Sequence, residues 1–372
     1  MKISEVKLPF KIKKPVLALG PQTKNTVCFA EGRVAYISPV HKDLSNPADF
    51  SDFRKAVKYF SKRKPKIIAY DLHPEYESTK YISALPAGHY AVMLPVQHHH
   101  AHIASCMAQN ALKNQKVIGV AFDGTGLGTD NNLWGAEFLV SDYAGFARAA
   151  HLKEVPLLGG GKAILEPIRL AAAWLYSIYK DDTLKLKLDL VKKINRKEWL
   201  VWKNMYLSGF NSPLASSMGR LFDAVGSLIL ARGKADFEAE LAIALERIAS
   251  RYKSQSESYK FDILKGRTGY IINPAPMFKQ VILDLKAKEP KEKIAYKFHL
   301  SIAGMIRSVC LVLRKENRIN KVILSGGVFQ NNLLLCRALD LLYKEDFKVF
   351  THKGAACNDS GVSLGQAVVA GV

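Results

Sequence analysis

The sequence predicts an α/β protein of two similar lobes facing one cleft, and three observations carry that expectation. Two segments read as distant copies of one device: PVLALGPQTKNTVCFAEGRVAYIS at 15–38 and VIGVAFDGTGLGTDNNLWGAEFLV at 117–140. Strand–turn–helix patterns follow at about 321–340 and 347–371. Glycine turns recur where these strands end, and the backbone N–H groups of such turns suit phosphate.

Each copy opens on a short β-branched, apolar strand, passes through a polar glycine turn, and continues into a second strand and a third. Between the copies lie a helix (PADFSDFRKAVKYFSKRK), a strand (KIIAYDL) and a histidine tract. Mostly helical patterns run from about 163 to 252, and the Lys-, Ser- and Pro-rich stretch 252–295 reads as an exposed excursion. The expected division is a first lobe at 1–114 carrying the histidine tract, and a second at 115–372 with a largely helical insertion at about 163–295.

Composition bounds the rest. At 48% hydrophobic and 23% charged residues the chain can fill a sizeable core. No run of 18 apolar residues occurs, so no membrane span is expected. The start MKISEVKLPFKIKKP is basic but lacks an apolar core, so no secretory leader is expected. Five scattered cysteines, never in a C-x-x-C pair, argue against a disulfide framework or a zinc ribbon and for a cytoplasmic location. The net charge of +21 suits acidic partners or phosphate-bearing ligands. Its basic residues are spread along the chain with no aromatic-interleaved block, so nucleic acid is not the expected partner.

The chemistry concentrates in VQHHHAHIAS, where four of the ten histidines fall at His98, His99, His100 and His102. On a helix, His98 and His102 share a face, and two imidazoles so spaced can hold one metal ion. His99 with His102 is the alternative pair. Further ligands would be carboxylates. Asp123 ends the strand VIGVAFD before a glycine turn, and Asp359 stands at a strand-to-helix junction in CNDSGVSLG, where an Asp is often only a helix cap. Two His and two Asp suit Zn²⁺ or Fe²⁺ with a position open to ligand. In LSGGVFQNN, Gly326 and Gly327 follow a strand and open a helix, which lets phosphate approach the backbone. Gly124, Thr125 and Gly126 form the second polar turn, and Lys24 lies in the first, where it could meet an anion. Taken alone, Asp223 in GRLFDAVGS and Glu238 in DFEAELA read as ordinary solvent-facing carboxylates. No Ser-His-Asp spacing or Walker A pattern is present.

The ordered series GPQTKNTVCF, DLHPEYEST, VQHHHAH, VAFDGTGLGTDNNLWGAEFLV, GRLFDAVG, SGGVFQNN and NDSGVSLGQA resembles the C-terminal, Kae1-like part of the HypF hydrogenase-maturation carbamoyltransferases, from about residue 15 to 370. The resemblance implies the two-lobed fold of actin, Hsp70 and sugar kinases, with RNase H-like lobes around a nucleotide cleft. It implies that His98, His102, Asp123 and Asp359 bind a divalent transition metal, zinc or iron. It makes Gly326, Gly327 and Asn331 phosphate contacts, Asp223 and Glu238 ribose acceptors beside Gly219, and Lys24 a contact for carbamoyl or phosphate. The implied ligands are ATP, AMP or carbamoyl-adenylate, and the implied acceptor is the terminal cysteine of a HypE-like protein. The family's acylphosphatase-like, zinc-finger and YrdC-like adenylating regions have no counterpart in this sequence, so a separate polypeptide is expected to supply carbamoyl-adenylate. The family's PGGDAA reads LGGGKA here, YEGQAA reads FEAELA, and PPND reads ACND. Related chemistries are O-carbamoyl or threonylcarbamoyl transfer to a small molecule or tRNA. A non-catalytic nucleotide-binding partner module is the reading of a different class.

Overall fold

A computed structural model describes residues 2–83, 92–254, 256–354 and 356–372. It contains two principal sheets. In the first, the order is Cys28–Ile37, Ser4–Ala18, Ile67–Asp71, Val92–Val96, with the first pair antiparallel and the others parallel. The second is built around Phe146–Leu152, Leu133–Ser141, Val117–Leu127, Lys321–Ser325 and Lys348–Phe350. Its first three strands form an antiparallel meander and the last two add in parallel. Val117–Asp123 is buried at every position, as a central strand covered on both faces must be.

The two sheets share a plan, a hairpin followed by parallel strands, and differ in one respect from the sequence reading. The first copy contributes a two-stranded hairpin to its sheet, not three strands. The short strand Thr23–Asn25 leaves the sheet to pair with His41–Asp43. Buried Asn25 pins this departure, because its amide donates to the carbonyls of Leu19 (2.8 Å) and Pro21 (2.6 Å). A second difference lies at 252–295. Tyr270–Asn273 and Asp262–Lys265 extend the second sheet, and helix Ala275–Lys286 buries Met277, Phe278, Val281 and Ile282. That spacing is a helical apolar stripe, and it makes the stretch part of the core despite its many lysines.

The histidine helix, His98–Gln109, lies between the sheets and is buried from His98 to Ala108. Beside it runs the helix Val362–Gly371, which follows the second sheet in sequence yet packs on the first. One core joins Val16, Ala18 and Ala30 of the first sheet, Ile103 and Met107, Val362 and Val368, and Val117, Ala121 and Ile323 of the second. The two helices touch through a glycine: a Cβ on Gly365 would fall 1.8 Å from the Ala101 carbonyl oxygen. A larger core on the other side of the second sheet gathers Phe122, Phe138, Trp174, Phe222, Phe278 and Phe298. At roughly 1.5–3 kcal/mol for each large apolar side chain fully buried, this core anchors the helical part. The longest helix among the described residues, Lys291–Asn317, is apolar and long enough to cross a bilayer, but thirteen of its residues are buried, eleven of them in this core.

Candidate metal centre and nucleotide cleft

Val92–Val96 delivers the chain to the histidine helix, whose first turn is capped by Gln97 accepting from His100 N. His98 and His102 then lie one turn apart, their rings meeting edge to face at 74° with centroids 4.9 Å from each other. Both Nε2 atoms face Asp123 Oδ2, at 3.3 and 3.2 Å, and Asp359 Oδ1, at 3.8 and 3.7 Å. One donor atom from each of the four residues lies within 4.8 Å of the others.

The carboxylates are held from outside the cluster. Asp123 sits where the pairing of Val117–Leu127 with its neighbour shifts register. Its Oδ1 accepts from Gly124 N (2.8 Å) and Gly327 N (3.2 Å), which leaves Oδ2 for the histidines. Asp359 Oδ2 accepts from Thr23 Oγ1 at 3.3 Å, tying the first lobe's turn to the centre. The capping role an Asp often takes at such a junction belongs to its neighbour Asn358, whose side chain accepts from Ser360 N. The alternative pair His99 and His102 is not the one that converges. His99 Nδ1 accepts from Gln97 Nε2 at 3.0 Å and its ring lies beside Trp134. His100 Nε2 donates to the Asp142 carbonyl at 2.6 Å.

Burial opposes charge on His98, yet Asp71, Asp123 and Asp359 together hold its pKa well above the ordinary value. His102 is raised in the same way. Burial would raise Asp123 and Asp359, but the two histidines hold both carboxylates below the usual range. Burial first, then the neighbouring charges of His98, His102 and Arg148, push His99 well down. The cluster thus sets two imidazoles against two carboxylates around one point. Two imidazole nitrogens and two carboxylate oxygens form a donor set that fits Zn²⁺ or Fe²⁺.

Sequence reasoning did not assign Asp71 to the site. It ends the strand IIAYD, and its Oδ2 lies 2.7 Å from His98 Nδ1, both side chains fully buried. The segment after it ties the site to the first turn: Ser78 Oγ donates to Gly20 O (2.9 Å) and Glu77 N to Gln22 Oε1 (2.7 Å). An Asp closing an apolar strand, as in VAFD, was the available signal.

The glycines have steric reasons as well as a possible ligand. Gly326 adopts φ +104°, and a Cβ there would meet Phe122 O at 2.1 Å. A Cβ on Gly327 would lie 3.0 Å from Asp123 Oδ1. Gly126 is buried against the rings of His99 and His98, and Thr125 is half-buried in the same turn. Gly124 adjoins Gly219, with Ser217 Oγ donating to Gly124 O. Asn331 caps the helix Asn332–Tyr343 by accepting from Leu334 N (2.9 Å), while its Nδ2 donates to His299 Nε2 (3.0 Å). Both ends of that amide are therefore engaged within the fold. Lys24 is exposed in the first turn at φ +45°, a left-handed conformation that costs a lysine energy.

The second polar centre adjoins Gly124. Asp223 is buried at 2% exposure, so the solvent-facing reading of this residue does not hold. It faces inward because GRLFDAVGS is buried from Arg220 to Ile229 along its helix. Arg220 Nη2 donates to half-exposed Glu238 at 2.8 Å. Arg220 Nη1 lies 3.2 Å from Asp223 Oδ2, near enough for an ion pair but without hydrogen-bond alignment. Among the described residues, Arg220 Nε and Nη1 and Asp223 Oδ2 have no hydrogen-bond partner. Burial pushes the Asp223 carboxyl up to about 6. Ala239, where the family pattern has glycine, takes φ +64° at the head of the next helix.

Two family models cover this framework: the HypF Kae1-like domain at residues 11–109, and the second subdomain of the Kae1-like carbamoyltransferase domain at 119–366. Carbamoyltransferase HypF of Synechocystis sp. is 32% identical over 97% of this chain and 48% of its own length. A carbamoyltransferase HypF homolog of Cupriavidus necator is 31% identical over 96% of this chain and 91% of its own. The chain spans about half the length of most of the curated relatives it matches. A crystal structure of full-length HypF in a phosphate- and nucleotide-bound form superposes with a TM-score of 0.92 at 38% identity, over 99% of this chain and 57% of that one. HypF of T. kodakarensis gives a TM-score of 0.88 at 29% identity, over 99% and 49%.

Proposed function

Because the chain belongs to the HypF carbamoyltransferase family, we propose that it transfers a carbamoyl group from carbamoyl-adenylate to the C-terminal cysteine thiol of a HypE-like protein. The product would serve synthesis of the cyanide ligand of hydrogenase iron. One observation carries this reading: Asp123 belongs to the His–Asp cluster, its Oδ1 joins the Gly124 and Gly327 turns, and Gly124 adjoins the Arg220–Asp223–Glu238 centre. A nucleotide lying across these groups would have its ribose at the second centre and its phosphate near the first.

In this reading Asp223 and Glu238 accept the ribose hydroxyls, and the buried N–H groups of Arg220 find acceptors on the same ligand. The Gly327 and Gly124 turns, held at fixed spacing by Asp123, offer backbone donors to the leaving phosphate. A metal held by His98, His102, Asp123 and Asp359 would polarise the carbamoyl or phosphoryl oxygens as a Lewis acid. The acceptor sulfur attacks the carbamoyl carbon, the S–C bond forms, the C–O bond to phosphate breaks, and AMP leaves. Holding donor and acceptor together supplies the proximity that the uncatalysed reaction lacks. We place the protein in the cytoplasm, a reading supported by the five free cysteines.

The test supplies the purified chain with a carbamoyl-adenylate source, carbamoyl-labelled, and a purified HypE-like protein. Label on the terminal cysteine is the expected result. Unlabelled acceptor, with turnover of AMP on added tRNA or a small hydroxyl compound, would move the function to the related O- or N-transfer chemistries. A stable complex without turnover would make the chain a binding module.

A further inference from the structure

The two histidines of the cluster are held very differently behind the donor atoms, and the difference can be followed hydrogen by hydrogen. His98 Nδ1 donates to Asp71 Oδ2 at 2.7 Å, with neither side chain exposed. The carboxylate cannot rotate freely, because its Oδ1 accepts from His73 N at 3.0 Å. Behind His102 stands a neutral hydroxyl, Ser325 Oγ, 3.4 Å from Nδ1. That hydroxyl is already occupied. Gln109 Oε1 accepts from Lys353 N, so its Nε2 donates to His352 Nδ1 (2.9 Å), and His352 must carry its hydrogen on Nε2. This hydrogen goes to Ser325 Oγ at 2.7 Å, and the serine gives its own to the His102 carbonyl at 3.1 Å. His102 Nδ1 is left with a long bond to an oxygen that already accepts another.

We propose that Asp71 is the positioning residue of this centre: it fixes His98 as an Nε2 donor and, far more than Ser325, sets the affinity for the metal. The inference rests on the metal reading of His98, His102, Asp123 and Asp359. A carboxylate behind a ligating imidazole locks its tautomer and ring orientation and raises its basicity, and loss of such a partner weakens binding about 10–100-fold. A distant, shared hydroxyl does less of each.

Zinc affinity, measured by competition against a chromophoric chelator, separates the possibilities. Asp71→Asn, with metal-free circular dichroism unchanged, is expected to bind zinc about 10–100-fold more weakly, and Ser325→Ala to lose less than about tenfold. Wild-type affinity in Asp71→Asn, or an equal loss in Ser325→Ala, overturns the proposal while leaving the metal reading intact. Wild-type protein that binds neither zinc nor iron overturns both. Should Asp71→Asn not fold, ¹⁵N-histidine NMR of the zinc-bound wild type decides alone. His98 is expected to carry hydrogen on Nδ1 and metal on Nε2, and the reverse assignment refutes the role of Asp71.

Discussion

The candidate site holds two polar centres made from similar groups, carboxylates facing nitrogen donors, and they differ in completeness. Around His98 and His102, every carboxylate oxygen of Asp123 and Asp359 faces a donor, and the nitrogens behind the cluster lead to Asp71 and Ser325. Around Arg220, two guanidinium nitrogens and one carboxylate oxygen are buried without a hydrogen-bond partner. A buried unpaired polar group costs about 1–3 kcal/mol, so the second centre stores a penalty that ligand hydroxyls and phosphate oxygens would relieve. The first centre is closed internally, its carboxylate oxygens facing imidazole nitrogens, backbone N–H groups and a hydroxyl. The contrast teaches that the two should respond to different perturbations, one to loss of charge balance and the other to supply of ligand.

The most severe break is His98→Ala with His102→Ala. Removing both cations leaves Asp123 and Asp359 buried and uncompensated, and such breakage costs about 3–5 kcal/mol. The expected outcome is loss of metal, from about one per chain to none, together with that destabilisation in urea unfolding. Asp223→Asn tests the incomplete centre: AMP affinity at pH 8 should fall about 10–100-fold with little loss of metal, because a bond to a charged acceptor is worth about 1.5–3 kcal/mol. The sign with pH follows from the raised carboxyl. In wild type, AMP binding weakens as pH falls through about 6, while the stability cost of ionising buried Asp223 grows as pH rises from the ordinary 3.8 and is complete once pH has passed about 6. Titration calorimetry with adenosine, which lacks the phosphate that itself titrates at about 6, should show the slope in wild type and its absence in Asp223→Asn. Gly365→Ala strikes the scaffold, since its Cβ would enter the Ala101 carbonyl. About 1–3 kcal/mol of stability should be lost, with weaker zinc binding as the histidine helix shifts. The smallest effect is a gain. Ala239→Gly relieves a left-handed alanine, and thermal unfolding should report about 1 kcal/mol of added stability.

What the sequence made legible follows the range of the interactions. His98 and His102 were readable because their relation is local, one helical turn. Asp123 was readable as a carboxylate at the end of an apolar strand before glycine. Asp71 has the same signature, but its meaning depends on parallel pairing of Ile67–Asp71 with Val92–Val96, where Asp71 stands opposite Val96 just before the helix. No local pattern states that register. Asp223 reads as a surface carboxylate because a charged residue within an amphipathic helix ordinarily faces water. Its burial is set by the helices packed around it. The 252–295 stretch misled by composition: its lysines are real, but Met277, Phe278, Val281 and Ile282 fall on one face. The glycines were legible as turns and not as contacts, since Gly126 and Gly326 answer to His99 and Phe122 across the fold.

The return of Val362–Gly371 to the first sheet has a consequence for the order in which the protein is made. Gly20 N donates to Gln366 Oε1 across 346 positions of sequence, and Asp359 lies just ahead of that helix. A growing chain carries His98, His102 and Asp123 long before it carries Asp359. Contacts of such separation are slow to form because loop closure must come first. During synthesis the ribosome therefore releases three of the four clustered side chains well ahead of Asp359, and the nascent chain cannot complete the His–Asp cluster until these late residues have emerged and docked.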